Sequence, residues 1–131
     1  MRRVLLGLVS AMFLFVLVTA ASAQRAARIT FARGARSSTV TGTLNGYRSE
    51  KRYVIKVRAG QTLRTMQVGN SHDITIYIED PDGEEVGDSD ASCNNRREIT
   101  PTDAGDYHIR VVECQKADRW RGTFRFKVTV R

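Results

Sequence analysis

Phe124-Arg125-Phe126-Lys127-Val128-Thr129-Val130 alternates apolar and polar side chains without a break. Successive side chains on an extended chain point to opposite faces. Phe124, Phe126, Val128 and Val130 therefore share one face, and Arg125, Lys127 and Thr129 share the other. This is the pattern of a strand with one surface buried and one solvated. The same period recurs upstream in Ile74, Ile76 and Ile78, with Thr75 and Tyr77 between them. It recurs again in Tyr53, Ile55 and Val57, and in Tyr107, Ile109 and Val111. Shorter strand-like pieces fall at 29–31 and 39–44, and a noisier one carrying Met66 at 63–68.

Turn residues separate these rows at short intervals. Arg33-Gly34-Ala35, Asn45-Gly46, Ala59-Gly60-Gln61, Asp80-Pro81-Asp82-Gly83 and Asp103-Ala104-Gly105-Asp106 all hold residues that tolerate tight or positive-φ backbone. No window of ten residues carries a helical stripe. The expected fold class is all-β: a small antiparallel β-sandwich of about seven to eight strands, one apolar face of each sheet packed on the other.

The first residues read as a targeting segment. Met1-Arg2-Arg3 is basic, 4–18 is almost wholly apolar, and Ala21-Ser22-Ala23 supplies the small residues that a signal peptidase cuts. That apolar run is shorter than the ~18 residues of a spanning helix, so an uncleaved anchor is the lesser alternative. Gln24 follows the expected cut, and a cysteine for lipid attachment is absent there. The reading is a signal peptide at 1–23 and one exported, soluble domain at 24–131, with no membrane association after cleavage. Removing residues 1–23 from 131 leaves 108, enough for one modest core. Arg2 and Arg3 leave with the signal, which takes the 21 basic residues to 19 against 14 acidic, a net +5. The excess is spread along the chain, with local density only at Arg96-Arg97 and at Arg119 and Arg121. Nucleic-acid binding would call for a basic stripe interleaved with aromatics, and export argues against it. Attraction to acidic surface polymers stays open.

Cys93 and Cys114 are the only cysteines. In an exported chain they are expected to form a disulfide, with a pair of free buried thiols as the alternative. Catalytic chemistry finds no support. Ser71-His72-Asp73 spells a triad, yet three consecutive extended residues alternate in direction and cannot form a relay. His72 and His108 lack partners at metal-ligand spacing, and His108 falls on an outward strand position. The carboxylates of Glu79, Asp80, Asp82, Glu84, Glu85, Asp88 and Asp90 depart from the spacing of a helix-loop-helix calcium site and read as a hairpin turn with a solvated rim, with calcium binding as the lesser alternative. The expectation is a protein that is not an enzyme, with no cofactor and no metal site.

The segment from Cys114 to Gly122 is chemically richer. It carries Gln115, Arg119, Arg121 and the only tryptophan, Trp120, between two strand patterns. A guanidinium offers a planar fork of donors suited to a carboxylate, and an indole adds a rigid contact area. Such a loop could enter another molecule's pocket; the alternative is a solvated turn whose tryptophan folds back on the core.

Three stretches resemble one known family in order and spacing: ITFARGARSSTVTGTLNGY at 29–47, YVIKVRAGQTL at 53–63 and AGDYHIRVV at 104–112. Together they span essentially the whole mature domain and are similar to the bacterial periplasmic inhibitors of goose-type (g-type) lysozyme. A weaker similarity runs to pre-peptidase C-terminal β-sandwich modules. The resemblance implies a periplasmic β-sandwich that plugs the substrate cleft of a g-type lysozyme, its protein partner. The family's contact residues are the tyrosine of a Gly-Tyr turn, matched here by Tyr47, and two arginines on the loop before the last strand. Arg119 matches the second of these; Gln115 stands where the family has the first. Lys116 and Arg121 are nearby cations without a positional match. The resemblance implies contacts at Tyr47, Gln115 and Arg119; with Trp120 and Arg121, added for the chemistry of the same loop, these form the expected lysozyme-binding set. The alternative function is a non-catalytic module that binds cell-wall or surface glycan. The oligomeric state is not fixed by either reading.

Overall fold

The structure, a computed structural model, describes residues 24–69, 72–87, 93–114 and 119–131. The expected signal segment 1–23, together with Ser71, Asp88, Asp90, Gln115 and Lys116, lies outside them. Nine strands form: β1 (Ala27–Arg28), β2 (Ser37–Asn45), β3 (Glu50–Val57), β4 (Leu63–Gln67), β5 (Ile74–Glu79), β6 (Glu85–Val86), β7 (Arg96–Ile99), β8 (Gly105–Glu113) and β9 (Arg121–Val130). They make a five-stranded sheet in the order β1-β3-β8-β5-β6 and a four-stranded sheet in the order β2-β9-β4-β7. The all-β sandwich expected from the alternation is present, with two strands that periodicity does not announce. β6 has only two residues, and β7 places Arg97 where an apolar residue would mark the inward face. Every pairing is antiparallel except that of β1, which runs parallel to β3.

The inward rows read from the sequence meet between the sheets. Phe124, Phe126, Val128 and Val130 of β9 join one buried cluster with Ile74, Ile76 and Ile78 of β5 and with Tyr107, Ile109 and Val111 of β8. Each such side chain contributes about 1.5–3 kcal/mol through the apolar area it withdraws from water. Tyr53 of β3 meets Phe126 edge to face, ring centroids 5.4 Å apart. Gly42 sits on the inward row of β2 because no Cβ fits there. One would lie 2.6 Å from the Tyr53 hydroxyl and closer still to the Phe124 ring.

Three local departures from simple alternation have identifiable causes. The first strand begins two residues before the expected 29–31; Ile29 instead buries its side chain and donates its N–H to the Val54 carbonyl at 2.8 Å. Thr75 points away from the core yet is buried, because Cys93 crosses over it and donates its N–H to the Thr75 hydroxyl at 2.8 Å. Arg97, the second of the locally dense basic pair Arg96-Arg97, is 2% exposed. Its Nε donates to the Ile76 carbonyl at 2.7 Å while the Ile76 N–H donates to the Asn94 carbonyl at 2.9 Å. The guanidinium thus caps part of the open edge of β5, where backbone groups would otherwise lack partners. It also lies over the Tyr77 ring at 5.5 Å, and Arg110 lies over the same ring at 4.3 Å.

The acidic hairpin between β5 and β6 closes on itself. One Asp80 carboxylate oxygen accepts the N–H groups of Asp82 and Glu84 at 3.0 and 2.9 Å. That is the local turn chemistry of an aspartate.

Candidate functional site

Two registers bring the interesting turns together. In the four-stranded sheet Asn45, the last residue of β2, pairs with Arg121, the first of β9. In the five-stranded sheet Glu50, the first residue of β3, pairs with Val112 near the end of β8. The 46–49 turn, the end of β8 and the start of β9 therefore lie at the same end of the sandwich. Gly46 makes the 46–49 turn possible with φ of 105°, a left-handed backbone that costs glycine little. Its carbonyl accepts the Ser49 N–H at 3.0 Å and closes the turn.

Arg119 is exposed, and its Cζ stands 5.2 Å from the centre of the Tyr47 ring. A cation over an exposed aromatic face gains about 0.5–1 kcal/mol, enough to bias a long side chain toward one direction. Tyr47, Arg119, Trp120 and Arg121 together line a hollow of about 420 Å³ with Asn45, Gly46 and Arg48. Three guanidinium-bearing residues and, among the described residues, no carboxylate line it, so its chemistry suits an anionic group. Four of the five residues expected at the site converge here; the fifth, Gln115, lies outside the described residues. Arg48 joins them unforeseen, as the neighbour of Tyr47 in the same turn.

Trp120 plays a different part from the arginines. It is half-buried against the core cluster, and its ring lies against Gly122, where a Cβ would come within 2.9 Å of it. The indole fills the space above an inward position of β9 and closes that end of the sandwich. This is the folded-back alternative, although one side of the ring still lines the hollow. Beneath it lies Glu113, 1% exposed, at an inward position of β8. One carboxylate oxygen accepts the backbone N–H of Trp120 at 2.8 Å; the other has no hydrogen-bond partner among the described residues. Glu113 thereby holds the backbone from which Arg119 projects. It was not expected as a site residue, though the row Tyr107, Ile109, Val111 places it in phase.

Cys93 and Cys114 form the disulfide, Cα atoms 4.5 Å apart. It joins the end of β8 to the chain that leads into β7, and so ties the two sheets beside the site. Cys93 has φ of 77°, an uncommon backbone for a residue with a Cβ, held by the bridge and by its bond to Thr75. The Cys114 N–H donates to the Asp73 carbonyl at 2.8 Å, which extends the pairing of β8 with β5. His72 sits near this crossing with its Nδ1 3.2 Å from the Asn95 side-chain nitrogen, and His108 is exposed on β8 as expected.

The fold can be set against known proteins. It is similar to that of PliG from Aeromonas hydrophila, a periplasmic lysozyme inhibitor of g-type lysozyme, with a TM-score of 0.64 and 21% identity over 81% of this chain and 96% of that one. PliG from Salmonella Typhimurium, described in the same words, gives a TM-score of 0.61 and 17% identity, covering 82% of this chain and 98% of that one. The pre-peptidase C-terminal domain of a collagenase from Bacillus anthracis follows at 0.51 and 16%, covering 82% and 96%. At these identities the likeness is one of fold. No protein-family model and no curated protein matches the chain. Among the described residues no helix is long and apolar enough to cross a membrane.

Proposed function

We propose that the chain is a periplasmic inhibitor of g-type lysozyme, exported by a signal peptide at 1–23 and acting through the domain at 24–131. The observation that carries this reading is the exposed Arg119 stacked on Tyr47, where the 46–49 turn meets the start of β9 at a cationic hollow. The similarity in fold to proteins that inhibit g-type lysozyme supports it. Glycoside hydrolysis depends on carboxyl groups in a substrate groove. A guanidinium delivered into such a groove forms charge-assisted, two-pronged hydrogen bonds to a carboxylate, and the surrounding sandwich end excludes substrate. Arg119 is the residue assigned to the carboxylate. Tyr47 holds it and adds contact area; Arg121, Gln115 and the outer side of Trp120 contact the groove walls. Tethering by Glu113 and the disulfide reduces the ordering cost on docking.

Lysis of cell walls by a g-type lysozyme tests this directly. The purified mature domain is expected to slow lysis in proportion to its concentration. Arg119→Ala, which would leave a desolvated carboxylate unpaired, is expected to weaken inhibition by about 2–5 kcal/mol. Unimpeded lysis at micromolar excess of the folded domain would refute the proposal.

A further inference from the structure

The four-stranded sheet turns a second, separate surface to solvent. Outward positions on β9 are Arg121, Thr123, Arg125, Lys127 and Thr129, and those on β4 are Arg64 and Met66. Cross-strand register sets Thr39, Lys127, Met66 and Arg96 in one row across the sheet. A neighbouring row holds Ser37, Thr129, Arg64 and Glu98. Arg121 belongs to the hollow at the Arg119–Tyr47 end; the other four cations, Arg64, Arg96, Arg125 and Lys127, share this face with a single carboxylate among the described residues, Glu98, whose oxygen lies 3.5 Å from Arg64. The acidic residues Glu79, Asp80, Asp82, Glu84 and Glu85 gather instead on the β5–β6 hairpin, at the edge of the other sheet. Charges that look scattered in sequence are thus segregated, cations on the open face of one sheet and carboxylates on a hairpin at the edge of the other.

The face also has relief. Arg64, Met66, Lys127, Thr129 and Arg131 line a hollow of about 330 Å³. Cations around a shallow apolar floor can seat a carboxylate or sulfate and still cover the carbon skeleton that bears it. The hydroxyls of Thr39, Thr41, Thr43, Thr123 and Thr129 lie between the charges and can bond to alcohols. Met66 and Val68, at 41% and 40% exposure, are the only large apolar side chains exposed among the described residues. Among the described residues of this face no aromatic protrudes to stack on bases or to enter a lipid interface.

We infer that this face binds a polyanionic glycan, a chain of sugars bearing carboxylate or sulfate groups, laid across β9 and β4. Binding there is independent of the Arg119–Tyr47 end, so the domain could hold a surface polymer while that end stays open. The test is retention of the full domain on immobilised polygalacturonate or heparin, with neutral dextran and vesicles of anionic phospholipid as the other arms. Retention on the acidic polymers is expected to fall steeply as salt rises, with none on dextran. Arg125→Gln combined with Lys127→Gln is expected to lower affinity about tenfold, two exposed contacts of ordinary strength. Thr39→Glu, which sets a carboxylate opposite Lys127, should act in the same direction. Arg119→Ala should leave retention unchanged, and the double variant should leave lysozyme inhibition unchanged. Equal retention on dextran, binding to vesicles but not to either polymer, or no effect of the double variant would each overturn the inference.

Discussion

At position 113 the inward row Tyr107, Ile109 and Val111 of β8 continues with a glutamate, buried beneath the only tryptophan. A carboxyl group at an inward strand position is costly unless it is bonded, and here its partner is the backbone N–H of Trp120. Replacing it by leucine, Glu113→Leu, would leave that N–H without its acceptor in a partly buried site. The expected loss is about 1–3 kcal/mol of stability, read from urea unfolding. A red shift of tryptophan emission should accompany it as the indole loosens. Glu113→Gln keeps a carbonyl acceptor and should lose less. Glu113 was not expected, although its phase with the apolar row Tyr107, Ile109 and Val111 is a signal that could have found it. Arg97 offered no such signal, because its burial depends on a contact with Ile76 that no local pattern reveals.

Strands of five residues or more declare themselves, since alternation needs several repeats to rise above chance. β9, β8, β5 and β3 were legible for that reason, whereas two-residue β6 and arginine-centred β7 were not. β1 was misplaced by two residues because Ile29 and Phe31 supplied the apolar signal, while the bonded pairs are Ala27 with Tyr53 and Arg28 with Val54. What fixes this strand is polar. The Arg28 guanidinium donates two hydrogen bonds to the Asp106 carboxylate, at 3.1 and 2.9 Å. Those hydrogen bonds, aided by the charge of Arg28, hold the Asp106 carboxyl below its ordinary value of 3.8. A carboxyl lowered in the folded state adds stability above its unfolded pKa and loses it as pH falls through the folded value. Wild type is therefore expected to exceed Asp106→Asn in urea midpoint at pH 6, with the gap closing as pH drops below about 4. The gap is small, because both partners are exposed. A gap unchanged by acid would show that the ion pair does not hold β1.

For the molecule as a whole, fold and sequence carry unequal amounts of information. No family model matches the chain, yet its architecture aligns with PliG over most of both chains. The alternation that sets strand faces tolerates many side chains, so a sandwich can persist where identity falls to 21%. Site geometry asks for more: a turn at Gly46, an arginine one residue before the tryptophan, and registers that bring both to one end. The disulfide is the covalent part of that geometry, and its effect is felt across both sheets. Cys93 and Cys114 are 21 residues apart, for which the chain-entropy account gives on the order of 3 kcal/mol. In a domain of this size, reduction or paired replacement by serine is expected to lower the melting temperature by roughly 10–20 °C. Below that temperature the sheets should persist, because their core does not include the bridge. If the domain inhibits as proposed, inhibition should fall further than circular dichroism suggests, since the bridge at Cys114 fixes the end of β8 beside Trp120 and Arg119. Equal inhibition by the reduced and oxidised domains, both folded, would assign the disulfide to global stability alone. Positioning of Arg119 would then rest on Glu113 and Tyr47.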